Sequence, residues 1–340
     1  MNGKIVTFGE LLLRFSKPDN RRFTQGETLI GNFGGSEANV AISLATLGDD
    51  VEYVTRLPKT QIGLAAKMML EQYGLDCSHV MMDGDRMGAY YFEGAAALRN
   101  SSVTYDRARS AFAQLEPGMI DWHEVLQGAS VFHTSGIGAA LSADAAAVTL
   151  EALQAADDMG ITISFDINHR KNLWRYAGAQ PRETLARLLE YADVMFGDVI
   201  EFEFLMQHPK IPFEARDSSY VMDLEPYREW FDTIVQRFPR CRKWLMGMRN
   251  QVNASHHLLT ALLLADGHLY HTRIYDIQDM VDPMGVGDAF AAGQIHAMLV
   301  DPDDNQQILD YALAASTLKY SFNGDANLAT DEEIKKLMTS

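Results

Sequence analysis

The sequence predicts an α/β fold: a doubly wound, mostly parallel sheet flanked by helices, with a small β-sheet lid. Three observations lead there. Short apolar runs of strand length alternate with helical patterns, as βαβ units do. The chain has 340 residues, 47% hydrophobic and 22% charged, enough for one large core. Two β-rich stretches, 11–33 and 88–105, break the alternation and carry no long helix. The expectation is a single domain over 1–340 with lid strands in those two stretches.

In chain order, KIVTFG (4–9), VEYVTR (51–56), SVFHT (130–134), ITISFD (161–166), DVMFG (193–197) and KWLMGM (243–248) read as buried strands. Strands covered on both faces show such near-continuous apolar runs. Helical patterns such as 143–157 and 227–238 lie between several of them. Ligands in sheets of this kind sit beyond the carboxyl ends of the strands. The exceptional stretches contain LLLRF, AYYFEG and SVTY, which suit antiparallel strands. They form either a lid or two surface hairpins without a role. Segment 208–219, with two prolines and mixed charge, reads as a surface insertion.

The formal charge of −17 argues against nucleic acid and anionic membrane as partners, because no global positive field would hold phosphates. Any phosphate must meet a local site. Two cysteines without C-x-x-C spacing indicate neither a disulfide framework nor a zinc site, and a reducing cytoplasm fits. No export signal or membrane span is expected.

Two glycine-bearing stretches carry the chemistry. GGSEANVAISLATLG (34–48) places Gly34 and Gly35 before a helix that is apolar almost all round, and therefore buried. Such a pair marks close approach of something, or a tight turn. Asn39, one turn in, is either satisfied by backbone or points into a ligand cleft. DPMGVGDAFAAG (282–293) places Gly285 and Gly287 before a second apolar helix, where free N–H groups and the helix dipole favour an anion. Asp288 is the odd residue there. It either caps the helix, read as 289–300, or takes a proton from a group attacking the bound anion.

Gly34, Gly35, Asn39, Ala41, Leu47 and Gly48, with Asp282, Gly285, Gly287 and Asp288, resemble the two signatures of the ribokinase-like (PfkB) carbohydrate kinases. The ending LKYSFNGDAN (318–327) agrees. Within that family the chain most resembles the 2-keto-3-deoxygluconate kinases, through GELLLRFS (9–16), YYFEGAAALRNSSVTYDRARSA (90–111), FDINHRKNLW (165–174) and RNQVNASHH (249–257). The resemblance implies ATP and Mg²⁺ as cofactors and phosphorylation of 2-keto-3-deoxygluconate, or a close sugar acid, at the 6-position. It implies that Gly285, Val286 and Gly287 hold the transferred phosphoryl group while Asp288 acts as base. It places Gly34, Gly35, Asn39, Tyr90, Arg99, Tyr105 and Arg170 at the sugar acid, with Arg99 and Arg170 facing the carboxylate. Arg249, Gly324 and Asn327 then belong to the nucleotide, and Asp198 and Glu201 to Mg²⁺ through water. A monovalent cation beside the phosphate loop and pairing of chains through the lid are left open.

Chemistry supports a sugar acid independently, since guanidinium forks match carboxylates. Leu11, Leu12 and Leu13, where neutral-sugar kinases carry an aspartate, suit a deoxy carbon. Three positions depart from the family pattern: Pro283, Val286, whose β-branch would crowd the phosphate, and Asp198, which replaces asparagine. A kinase of a neutral ketose such as fructose and a non-catalytic sugar-acid-binding relative are the competing readings. A dinucleotide-binding dehydrogenase is disfavoured, because GVGDAF lacks the third glycine and lies near the C-terminus.

Overall fold

The structure, a computed structural model, describes residues 3–209 and 211–340. Strand β1 (Lys4–Phe8) enters the core and leads to β2 (Leu12–Ser16) and β3 (Ile30–Gly34). Helix α1 (Ser36–Thr46) returns to β4 (Val51–Val54), followed by β5 (Arg56–Leu57), α2 (Gln61–Gln72), β6 (Met81–Met82), β7 (Gly88–Glu93) and β8 (Ser102–Asp106). Helix α3 (Trp122–Val125), β9 (Ala129–Ser135), α4 (Gly136–Ala139), α5 (Ala143–Asp158), β10 (Thr162–Asp166), α6 (Pro181–Leu189) and β11 (Val194–Asp198) form the central crossovers. The C-terminal part comprises α7 (Val199–Met206), α8 (Glu225–Arg237), β12 (Lys243–Gln251), β13 (His257–Ala265), β14 (His268–His271), β15 (Tyr275–Ile277), α9 (Val286–Val300), α10 (Asn305–Lys319) and α11 (Asp331–Thr339).

The main sheet runs β14-β13-β12-β11-β10-β9-β1-β4, with β15 also paired to β13. All pairs from β4 to β12 are parallel; β13, β14 and β15 add an antiparallel edge. Alternate strand residues feed opposite layers, as a period of two requires. Val6, Phe8, Phe132 and Met195 pack with α5, α6 and α8, while Ile5, Val131, Val194 and Phe196 pack with α1, α9 and α10. The six strands read from sequence are all present.

The second sheet has the order β3-β2-β7-β8. It gathers the two expected stretches, with one correction: β2 and β7 are parallel, while the outer pairs are antiparallel. The described residues of 208–219 lie outside helix and strand, but Phe213 and Ala215 plug into the core, so this insertion is anchored. Within that segment Lys210 lies outside the described residues. No described helix is long and apolar enough to cross a membrane.

Candidate active site

Strands β1, β9, β10 and β11 deliver Glu10, Ser135, Asp166 and Asp198 to one edge of the main sheet. The first turns of α1 and α9 meet there. Gly285 is the N-cap of α9, with φ +77°, and a Cβ on it would come within 1.7 Å of the Asp325 carbonyl oxygen. Only glycine fits that turn. The helix therefore begins at Val286, not Ala289, and Asp288 lies inside its first turn, which removes the capping reading.

The Asp288 carboxylate is buried and accepts two hydrogen bonds, from Ser36 Oγ and Asn39 Nδ2, each 2.7 Å. Asn39 Oδ1 in turn accepts from the Gly35 N–H at 3.3 Å. Asn168 Nδ2 donates to Ser36 Oγ and to Asp166, which extends the chain of polar groups to β10. Burial raises the proton affinity of Asp288, and the bonds from Asn39 and Ser36 and the Arg170 charge pull the other way. The net direction is upward. A carboxylate so held can accept a proton from a hydroxyl brought against it.

The close approach foreseen at Gly34 and Gly35 is made by the protein itself. A Cβ on Gly34 would meet the Asp325 carboxylate at 2.3 Å, and one on Gly35 the Glu10 carbonyl at 2.1 Å. Asp325 is a hub absent from the residue set read in the sequence. It binds Arg14 Nη1 at 2.7 Å and accepts from the Tyr90 hydroxyl, so Tyr90 is directed at protein. Arg14 Nη2 reaches Asp282 at 2.8 Å.

Arg170 follows β10 with φ +45°, and Asn168 has φ +36°, two left-handed non-glycine residues in one turn. Such conformations cost energy and cluster at functional sites. Arg170 is exposed as a residue, yet its guanidinium lies deep enough for burial to oppose its charge. Tyr105, Glu201, Asp166 and Asp288 more than offset this and hold it charged. Burial and its acidic neighbours Glu201 and Asp288 drive the Asp166 carboxyl well above its ordinary range. Burial, then Asp198, pushes Glu201 up to about 7.

Arg99 is engaged elsewhere. Its guanidinium faces Glu93 at 3.5 Å and donates to the carbonyls of Asn20 and Gly94, so it is not among the groups assembled around Asp288. Arg107, not singled out from the sequence, is 3% exposed and binds Glu10 through Nε at 2.6 Å. Its Nη1 and Nη2 have no acceptor among the described residues, and its guanidinium lies 5.9 Å from the Tyr105 ring centre.

Asp198 is the exposed N-cap of α7 and forms a capping box with Glu201. The Glu201 carboxylate accepts from the His169 and Asp198 N–H groups, 3.1 Å each. Val286 packs against the core beside α10, and its carbonyl accepts from Ser316. Arg249 is exposed on β12, and its charge opposes the rise in Tyr320 proton affinity that burial causes. The Gly324 N–H donates to Asp282, and buried Asn327 ties α1 to the start of α11 through Ser43 and Ala329. A cavity of 640 Å³ opens beyond Arg14, between the small sheet and Pro283, but Asp288 and Arg170 are not in its wall.

The fold and this arrangement define an α/β protein whose glycine-capped helix start carries a buried carboxylate. Residues 2–224 match the pfkB family carbohydrate kinases, and the chain belongs to that family. It is a carbohydrate kinase. It is 29% identical to the 2-dehydro-3-deoxygalactonokinase of Haloferax volcanii, over 99% of this chain and 97% of that protein. It is also 29% identical to the 2-dehydro-3-deoxygluconokinase of Bacillus subtilis, over 98% and 95%. The crystal structure of the Thermotoga maritima 2-dehydro-3-deoxygluconokinase superposes with a TM-score of 0.89 at 32% identity, covering 99% of both chains.

Proposed function

We propose that the chain transfers the γ-phosphoryl group of ATP to the terminal hydroxyl of a 2-keto-3-deoxy sugar acid, 2-keto-3-deoxygluconate or its galactonate epimer. The observation that carries this reading is Arg107. A buried guanidinium with two unpartnered nitrogens needs an acceptor, and a planar carboxylate is the ligand whose geometry matches it. Arg170 supplies a second charge, and Tyr105 lies between the two arginines' surroundings. A neutral sugar would offer the two free nitrogens of Arg107 no charged acceptor. The names of the relatives in Haloferax, Bacillus and Thermotoga favour the same substrate class.

In the proposed reaction the substrate oxygen forms a bond to the γ-phosphorus, its proton passes to Asp288, and the bond to the β-bridging oxygen breaks to release ADP. Backbone N–H groups of Gly285, Val286 and Gly287 stabilise the charge spread over the transferred oxygens. Asn39 and Ser36 aim the base. Arg249 and Gly324 are assigned to the nucleotide side, whereas Asn327 serves the turn it stabilises. Among the described residues no cluster of three or more His, Cys, Asp or Glu could enclose a metal ion. Mg²⁺ would therefore be held by phosphates and waters, with Asp198 and Glu201 binding the water shell. This reading assigns the chain to the cytoplasm.

A coupled ADP-release assay over keto-deoxy sugar acids and neutral sugars tests the reading. The keto acid should be preferred over fructose. Arg107→Gln should lower kcat/KM for the keto acid about 10- to 150-fold, the scale of a lost charged hydrogen bond. Arg99→Gln should stay within about twofold, since its partners are protein groups. Equal use of fructose, or an unaffected Arg107→Gln, would overturn the substrate; binding of the acid without ADP release would identify a non-catalytic relative.

A further inference from the structure

We infer that Lys319 is a built-in monovalent cation for the phosphate-binding turn, so that this chain needs no potassium or similar ion there. Lys319 ends α10 and is fully buried. Its ammonium donates to the Asp282 carbonyl at 3.4 Å and to the Phe322 carbonyl at 3.1 Å. Those oxygens belong to the two segments that meet at Gly285, where the Asp325 carbonyl leaves no room for a side chain. The ammonium therefore clamps the turn 282–285 to the turn 322–325, which is the work an inserted cation would do.

The residues do not fit an added ion. A cation beside the turn needs carbonyl oxygens from the loop, and these already accept from Lys319. It also needs net negative charge, and none is left over. Arg14 and Lys319 supply two positive charges against the two carboxylates of Asp282 and Asp325, Arg14 holds both carboxylates directly, and the neighbouring Asp288 charge is faced by Arg170. The remaining capacity of Asp282 is used by the N–H groups of Met284, at 3.0 Å, and Gly324, at 3.2 Å. A further cation in this neutral, buried cluster would lose its hydration without a compensating charge. Burial works against the Lys319 charge, and Asp282 and Asp325 support it.

The inference rests on the proposed phosphoryl transfer, and the test separates the two. Wild type and Lys319→Met are compared in potassium, sodium and tetramethylammonium chloride at equal ionic strength, by turnover and by melting temperature. Wild type should show the same kcat within about twofold, and the same Tm, in all three salts. Lys319→Met should lose about tenfold or more in kcat, as for a deleted charged hydrogen bond, with a smaller change in sugar KM. A higher wild-type kcat or Tm in potassium than in tetramethylammonium overturns the inference, as does full kcat of Lys319→Met in tetramethylammonium. If Lys319→Met does not fold, the wild-type salt comparison decides. If wild type turns over no sugar in any salt, the functional reading fails, and the Tm comparison still reports on the ion.

Discussion

Asp288 draws its character from three neighbours. Ser36 and Asn39 fix both carboxylate oxygens, and burial raises its proton affinity while Arg170 restrains the rise. Because Gly285 caps the helix, Asp288→Asn removes a proton acceptor without removing a cap. The variant should keep its fold and nucleotide binding and lose about 10²- to 10⁴-fold in kcat. A rate near wild type would remove Asp288 from the chemistry. Since the carboxylate must be ionised to act, the rate should fall as pH drops, with a midpoint above the ordinary aspartate range. Glu37 shows the same physics in stability. It is fully buried, accepts from Ser135, and burial pushes it from 4.5 up to about 7. Between these values the folded chain holds a proton that the unfolded chain has released, so stability falls as pH rises through that window. Glu37→Gln should flatten this fall and be more stable than wild type above pH 7, by up to about 3 kcal/mol. Urea unfolding across pH would show it, and identical slopes for both proteins would refute it.

Among the elements, α7 carries the departure most open to test. Asp198 caps this helix, and asparagine caps about as well, so Asp198→Asn leaves the helix in place. If Asp198 serves the hydrated metal, the variant should need about 2- to 5-fold more free Mg²⁺ for half-maximal rate, the scale of one exposed charge, with sugar-acid KM little changed. An unchanged Mg²⁺ titration would leave Asp198 as a cap alone. The buried parallel strands were legible because burial on both faces writes continuous apolar runs into the sequence. The turn at Gly285 was legible for a similar reason, since a left-handed cap needs glycine. The parallel pairing of β2 with β7 was not, because nothing local encodes the register of strands so far apart in the chain. Arg14, Arg107 and Asp325 were missed because a charged residue reads as solvated until its buried partner is known. Arg107 had a trace: it lies two residues beyond Tyr105 on the same stretch. Arg99 was preferred to it, and only the fold shows that Glu93 and two carbonyls engage Arg99.

At the scale of the whole molecule, one charge cluster joins the small sheet to the main body. Arg14 leaves β2, passes 4.6 Å from the Phe92 ring centre, and reaches Asp282 before α9 and Asp325 after α10. Tyr90 on β7 adds a hydrogen bond to Asp325, and Lys319 clamps the same two turns from behind. The placement of the small sheet thus depends on groups that also shape the turn at Gly285. A buried pair contributes little net stability when intact, but removing one partner strands the other charge in a poorly solvated place. Arg14→Met, similar in bulk, would remove the cation that binds both Asp282 and Asp325 and leave them neutral donors and the Lys319 charge. It should destabilise the chain by about 3–5 kcal/mol. Adding Asp325→Asn to that variant removes one stranded charge and should recover part of the loss, a non-additivity that a structural cavity would not produce. Denaturant unfolding of wild type, both single variants and the double variant measures this directly. If Arg14→Met stays within about 1 kcal/mol of wild type, or the two losses simply add, the cluster is not what fixes the small sheet to the body.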